Sequence, residues 1–327
     1  MLLLFFFLCV LPGCSRYKGL DQFTAREDDS TSVAQQVAPA FTPDHWVPPD
    51  TLSIGSDSQG QLIRYGRDLV ARTGKYFGPH GLINHFANGM NCQNCHLGAG
   101  TKLFANSYSA VYSIYPKWRA RSGTVENLVK RVNDCMERSL NGRKLDSTSR
   151  EMQAMIAYIN WVGKDVPKGI TPKGASVVDV PYLDRAADPQ KGMVAFNAYC
   201  IRCHTEDGQG KFNPDSMTYQ YPPLWGAQSY NTGAGMYRLS RLAGFIKSNM
   251  PFQEASHDKP KLTDEEAWDI AAYINSQPRP VKKFKADWPD ITKKPVDHPF
   301  GPYADHFSEQ QHKFGPFKEM IAAGQKK

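Results

Sequence analysis

Two short strings carry the chemistry most easily read from this chain: Cys92-Gln93-Asn94-Cys95-His96 and Cys200-Ile201-Arg202-Cys203-His204. Paired thiols separated by two residues and followed directly by an imidazole form the C-x-x-C-H pattern. The thiols add across the vinyl groups of a porphyrin, and the histidine becomes the proximal ligand of its iron. A zinc site built from four cysteines leaves both histidines unused, and a redox dithiol does not account for the duplication. The sequence therefore predicts two covalently bound haem c groups, one on Cys92, Cys95 and His96, the other on Cys200, Cys203 and His204.

Each iron needs a sixth ligand or an open position. In the second half the candidates are Met217, Met236, Met250, Lys247 and His257. Met250 stands ahead of the last amphipathic segment and is followed by Pro251, the usual place of a cytochrome c methionine, whose thioether raises the potential. In the first half no histidine lies between His96 and His204. That leaves Cys135, Met136, the lysines, Met152 and Met155, or His80 and His85 from upstream. Cys135 lies in Arg131-Val132-Asn133-Asp134-Cys135-Met136-Glu137-Arg138-Ser139, the most cationic setting of any thiol here, and cationic neighbours favour thiolate. The residues favour Cys135 and leave the methionines open. Thiolate on the first iron and methionine on the second would give a low-potential centre feeding a high-potential one.

The elements that must position these groups repeat as well. Thr148-Ser149-Arg150-Glu151 and Thr263-Asp264-Glu265-Glu266 read as capping boxes, with Thr148 and Thr263 as caps. They open helices with apolar stripes at Met152, Met155, Ile156, Ile159 and at Ala267, Ile270, Ala271, Ile274. Both helices contain the string Ala-Tyr-Ile-Asn, at 157–160 and 272–275. Upstream, Asp188-Pro189 reads as cap and first turn of a helix running through Gly192 and Phe196 into the second motif, and the stretch from Gly66 to about Thr73 opens the first half similarly. Helix, C-x-x-C-H, loop and terminal helix is the plan of a small cytochrome c. The expected fold is mainly α: two tandem cytochrome c-like haem domains, at 59–170 and 187–281, joined by a Pro- and Gly-punctuated linker at 171–186. An extended tether (14–58) precedes them, and an irregular, Lys-, Pro- and aromatic-rich tail (282–327) wraps over them.

The chain has 327 residues, 41% of them hydrophobic, and seven cysteines, an odd number. The net charge of +7 comes from scattered bases without the runs or stripes of a nucleic-acid surface, so no nucleic-acid partner is expected. Residues 1–13 open on an apolar run of about 11 residues, signal-peptide length and short of a membrane span. Leu11-Pro12-Gly13-Cys14 is similar to a lipoprotein cleavage box. Export to the periplasmic side follows, with a membrane anchor through lipid on Cys14. Cys9 then leaves with the signal, Cys14 carries lipid, four cysteines hold haem, and Cys135 is the odd one.

Several strings resemble the dihaem thiosulfate dehydrogenases, which also act as tetrathionate reductases: Gly89-Met90-Asn91-Cys92 through Leu97, Ala120-Arg121-Ser122-Gly123-Thr124-Val125-Glu126, Asn133 through Gly142, and Asn249-Met250-Pro251. The likeness runs from about Trp46 to Pro280. It implies that Cys135 is the distal ligand of a catalytic first haem and forms a transient sulfur adduct, and that Met250 ligates a second haem that passes electrons on. Asn249 stands where some relatives carry a lysine. Joining two thiosulfate dianions needs an anion pocket, for which Arg121, Arg131 and Arg138 offer charge-assisted forks and Ser139 a hydroxyl. The partners are then the small anions and an electron-accepting cytochrome or other redox protein. Two other readings share the motifs: a tethered electron carrier without its own substrate, and an oxidoreductase for another sulfur oxyanion.

Overall fold

The computed structural model describes residues 41–214 and 217–325. The signal, the lipidation site at Cys14 and most of the tether lie outside the described residues. The chain forms two helical modules in tandem, each with a small two-stranded hairpin. The first contains α1 (Ser58–Ala71), α2 (Thr73–Phe77), the single turn α3 (Leu97–Gly100), α4 (Val111–Ile114), β1 (Lys117–Arg119), β2 (Thr124–Glu126), α5 (Leu128–Arg138) and α6 (Arg150–Val162). The second contains α7 (Pro189–Tyr199), α8 (Ile201–His204), β3 (Lys211–Phe212), β4 (Tyr219–Tyr221), α9 (Leu239–Asn249) and α10 (Asp264–Ser276). Both hairpins are antiparallel; in the first, Trp118 faces Val125 across the ladder.

The duplication is clearest where helices cross. α1 packs against α6, and α7 against α10. Each crossing is closed by a glycine. A Cβ on Gly66 would sit 1.9 Å from the Ala154 carbonyl oxygen, and one on Gly192 would sit 1.8 Å from that of Asp269. Only a residue without a side chain allows the backbones so near. The next turn of each terminal helix places a tyrosine, Tyr158 or Tyr273, over the same glycine. Around these crossings one core gathers Leu69, Phe77, Met152, Tyr158 and Val162, and the other Phe196, Leu239, Trp268 and Ile270.

α10 starts at the expected capping box: Thr263 Oγ1 accepts from the Glu266 amide at 3.1 Å, and the Glu266 carboxylate accepts from the Thr263 amide at 2.8 Å. α6 starts one residue later than expected. Ser149, not Thr148, caps it by accepting from the Met152 amide, because Asp146 takes both the amide and the hydroxyl of Thr148 at 2.8 Å. The segment expected to be tether up to residue 58 is partly core: Trp46 and Ile54 are buried against the first module. The tail is irregular to Ser308 apart from one 3-10 turn and ends in two short helices, α11 (Glu309–Phe314) and α12 (Phe317–Gln325). Phe314, Phe317 and Met320 enter the second core, and the fully buried Asp297 receives the Arg238 guanidinium at 2.6 Å.

Candidate functional site: two cavities sharing a wall

Each C-x-x-C-H motif lines its own cavity. In the first module a space of about 350 Å³ is bounded by Cys92, Cys95, His96, Met136, Ser139 and Met155, and Cys135 enters it from α5. In the second, about 300 Å³ is bounded by Cys200, Cys203 and His204 on one side and Met250 on another, with Met236, Phe245, Ile246 and Ile270 between. Met90 and Cys95 line both cavities, so the two spaces share a wall.

The histidines are set for metal ligation. His96 Nδ1 lies 2.6 Å from the Asn106 carbonyl oxygen and His204 Nδ1 lies 2.9 Å from that of Pro222. A carbonyl can only accept, so each Nδ1 carries the proton and each Nε2 keeps its lone pair. Burial favours the neutral form of both rings, lowering the pKa of His96 to about 4 and shifting that of His204 downward as well. None of the five described cysteines is paired in a disulfide. A large cavity with two free thiols at one edge and an available imidazole nitrogen beside them fits a covalently attached haem, and this arrangement occurs twice.

α5 brings Cys135 to the first cavity. Asn127 caps its start, its side chain accepting from the Lys130 amide at 2.9 Å. At the other end, Ser139 and Leu140 donate back to the Cys135 carbonyl at 2.9 and 3.0 Å. One turn before Cys135, Arg131 also faces the cavity. Cys135, followed by Tyr115, Asp134 and Glu126 as further contributors, holds its guanidinium above the usual arginine range. Ser139 lines the same space.

The four basic and hydroxyl candidates thus divide. Arg131 and Ser139 reach the cavity, and Arg138 and Arg121 do not line it. Arg138 is withdrawn as an anion ligand: its fork already holds Asp287 of the tail through two bonds of 2.7 and 2.8 Å, and its guanidinium lies 3.7 Å from the Phe284 ring centroid. Arg121 donates to the Gly233 carbonyl at 3.2 Å and lies over Trp288. Burial, then the neighbouring Arg138, lowers its pKa to about 10. The expectation missed Lys117 and Arg119, which do line the cavity. Alternation along β1 puts them on one face, and the turn after Arg119 carries Arg121 away from them. No carboxylate belongs to the described lining of this cavity, so Lys117, Arg119 and Arg131 give it a positive field.

Among the ligand alternatives, Met136 and Met155 line the first cavity and Met236 and Met250 the second. Lys247 is engaged elsewhere, donating to the Leu262 carbonyl and pairing with Asp264, both at 2.7 Å. His257 stacks on Phe104, and neither His80 nor His85 lines the first cavity.

Two cytochrome modules, each with a haem-attachment motif bordering its own cavity, define a dihaem c-type cytochrome. Comparison with known proteins narrows the class. Residues 84–167 match the SoxA/TsdA cytochrome c domain and residues 189–278 the cytochrome c domain. The chain is 39% identical over 245 residues to the thiosulfate dehydrogenase of Psychrobacter arcticus, covering 74% of this chain and 71% of that one. It is 38% identical over 226 residues to the thiosulfate dehydrogenase of Allochromatium vinosum, covering 68% and 80%. Among solved structures it is similar to the thiosulfate dehydrogenase TsdBA of Marichromatium purpuratum, "as isolated" form, at TM-score 0.67 and 29% identity. That match covers 77% of this chain and 52% of the other, so the chain spans about half the length of that protein. The chain belongs to the thiosulfate dehydrogenase family and carries two covalently bound haem c groups.

Proposed function

We propose that the protein interconverts thiosulfate and tetrathionate at Cys135. The observation that carries this reading is the meeting of the Cys135 thiol, the first haem-attachment motif and three cations in one cavity with no carboxylate among its described lining residues. Cys92 and Cys95 hold the first haem with His96 as proximal ligand, and Cys200 and Cys203 hold the second with His204. Cys135 would ligate the iron of the first and Met250 that of the second. When bound, each haem would supply a one-electron acceptor.

In the oxidising direction, the Cys135 thiolate and a thiosulfate sulfur form an S–S bond, releasing two electrons and leaving a sulfonate-capped disulfide on the cysteine. A second thiosulfate attacks the sulfur distal to Cys135, breaking that bond to the cysteine. Tetrathionate departs and the thiolate returns, so the second step transfers no electrons. Arg131 and Ser139 bind sulfonate oxygens, and Lys117 and Arg119 draw the dianions in against one another's charge. Electrons leave through the second module to an external redox protein. On this reading the work is done on the periplasmic side, and the apolar opening of the chain and the lipoprotein-like Cys14 support an anchor at a membrane. Among the described residues no helix is long and apolar enough to cross one.

The test is Cys135→Ala in the holoprotein, followed by visible spectra and thiosulfate-dependent reduction of an added cytochrome. The expected result is an altered first-haem spectrum and a rate lower by about 10³-fold or more. Full activity with an unchanged spectrum overturns the role of Cys135. A wild-type protein whose haems respond to neither anion, yet exchange electrons with small cytochromes, is an electron carrier instead.

A further inference from the structure

The end of α5, three residues beyond Cys135, is held by two other parts of the chain, the second module and the tail. A helix terminus leaves its last carbonyls without partners inside the helix. Here the second module supplies them: the Asn231 side chain donates to the Glu137 carbonyl at 2.8 Å, and the Asn231 amide donates to that of Arg138 at 3.1 Å. The tail adds Lys282, whose ammonium donates to the Gly142 carbonyl at 3.0 Å. Arg138 itself, 5% exposed, donates to both carboxylate oxygens of Asp287 and is covered by Phe284.

The same short stretch of tail also reaches the β1–β2 turn. The Trp288 amide donates to the Arg121 carbonyl at 2.6 Å, and Pro289 packs on Gly123 in the β1–β2 turn, whose strand β1 carries Lys117 and Arg119. Farther on, Asp297 fastens the tail to Arg238 at the start of α9. The strap is thus fixed to the second module and grips the first at both the cysteine helix and the turn that follows the strand carrying Lys117 and Arg119.

We propose that residues 282–289 are a positioning strap for the first haem site, with Asp287 acting through Arg138 to set where α5 presents Cys135. This rests on the reading of Cys135 as ligand and sulfur nucleophile. Asp287 touches neither substrate nor haem; it is a positioning residue. A bidentate guanidinium–carboxylate pair fixes orientation as well as distance, which a packing contact alone does not. Loosening it lets α5 rotate or slide, and thiolate donation to the first iron weakens.

The experiment compares Asp287→Asn, Asp287→Glu and Arg138→Lys with the wild-type holoprotein. It reads visible and electron-paramagnetic spectra, both midpoint potentials, and the kcat and KM for thiosulfate. In Asp287→Asn the first potential is expected to rise by at least a tenfold shift in that haem's reduction equilibrium, 59 mV for one electron. The second potential stays in place, kcat falls at least tenfold, and Asp287→Glu recovers most of both. Arg138→Lys keeps a buried charge beside Asp287 while losing the fork, and gives the same direction if Asp287→Asn does not fold. Folded variants with a lowered melting temperature but unchanged first-haem spectrum, potential and kcat overturn the proposal, as do equal shifts at both haems. Cys135→Ala serves as the control: if it leaves the first-haem spectrum unaltered, the underlying reading of Cys135 fails, whereas an altered Cys135→Ala with unaltered strap variants refutes the strap alone.

Discussion

Asn249, the residue before Met250, donates through Nδ2 to the carbonyl oxygen of Phe104 in the first module at 2.9 Å. It also donates to the Phe245 carbonyl at 3.0 Å and is completely buried. Two residues after Phe104, Asn106 offers the carbonyl that orients His96. One amide therefore links the loop that orients the first proximal histidine to the loop that carries Met250.

Removing that amide leaves a buried carbonyl without its partner. Asn249→Leu is expected to lower unfolding stability by about 1–3 kcal/mol, the cost of an unsatisfied buried group. Guanidinium denaturation followed by haem absorbance measures it, and an unchanged midpoint would show that the link contributes nothing.

The cations of the first cavity are expected to act on substrate capture. Arg131→Met and Arg119→Met each remove a charge-assisted contact worth about 1.5–3 kcal/mol, which corresponds to a roughly ten- to hundredfold rise in KM for thiosulfate. Steady-state kinetics at fixed ionic strength decide it. A KM within twofold of wild type in both variants would remove them from the binding site.

The two glycine crossings predict matching failures. Gly66→Ala and Gly192→Ala gain about 1 kcal/mol in helix propensity, but each new methyl meets a backbone carbonyl that cannot yield cheaply. Overpacking costs about 1–3 kcal/mol or more, so a net loss is expected in both. Thermal unfolding of the two variants checks this; a raised melting temperature in either would show that the helices part easily.

His298, 4% exposed, accepts the Trp288 indole N–H on Nε2 at 3.1 Å. Burial, helped by Lys294 and Arg121, lowers its pKa from 6.5 to about 3. Between those values the unfolded chain binds the proton and the folded chain does not. Stability therefore falls as pH drops below about 6.5, by up to about 1.4 kcal/mol per unit, and this contribution levels off near 3. Melting temperatures from pH 7 to 4 should decline more steeply in wild type than in His298→Gln. Parallel declines would rule His298 out as the source.

What was legible in the sequence was local. The haem motifs, the Thr263 capping box and the Asp188-Pro189 helix start each lie within a few residues, and the structure forms them as read. Arg138 misled because its partner, Asp287, lies 149 residues away in a tail without periodicity, and charge alone cannot tell a free guanidinium from an engaged one. Trp46 and Ile54 were hidden for a related reason: an irregular segment buries single anchors without repeating them. Thr148 and Ser149 are equally good caps by type, and a neighbouring aspartate decided between them.

The wall formed by Met90 and Cys95 has an electrical consequence. The same two residues border both cavities, so on the proposed reading a charge gained on one side would be felt on the other. On the proposed mechanism, the first electron to arrive would raise the cost of the second. Two electrons released by one bond-forming event would then repel toward opposite sides of the wall, with the farther one held in the second module for the outgoing partner.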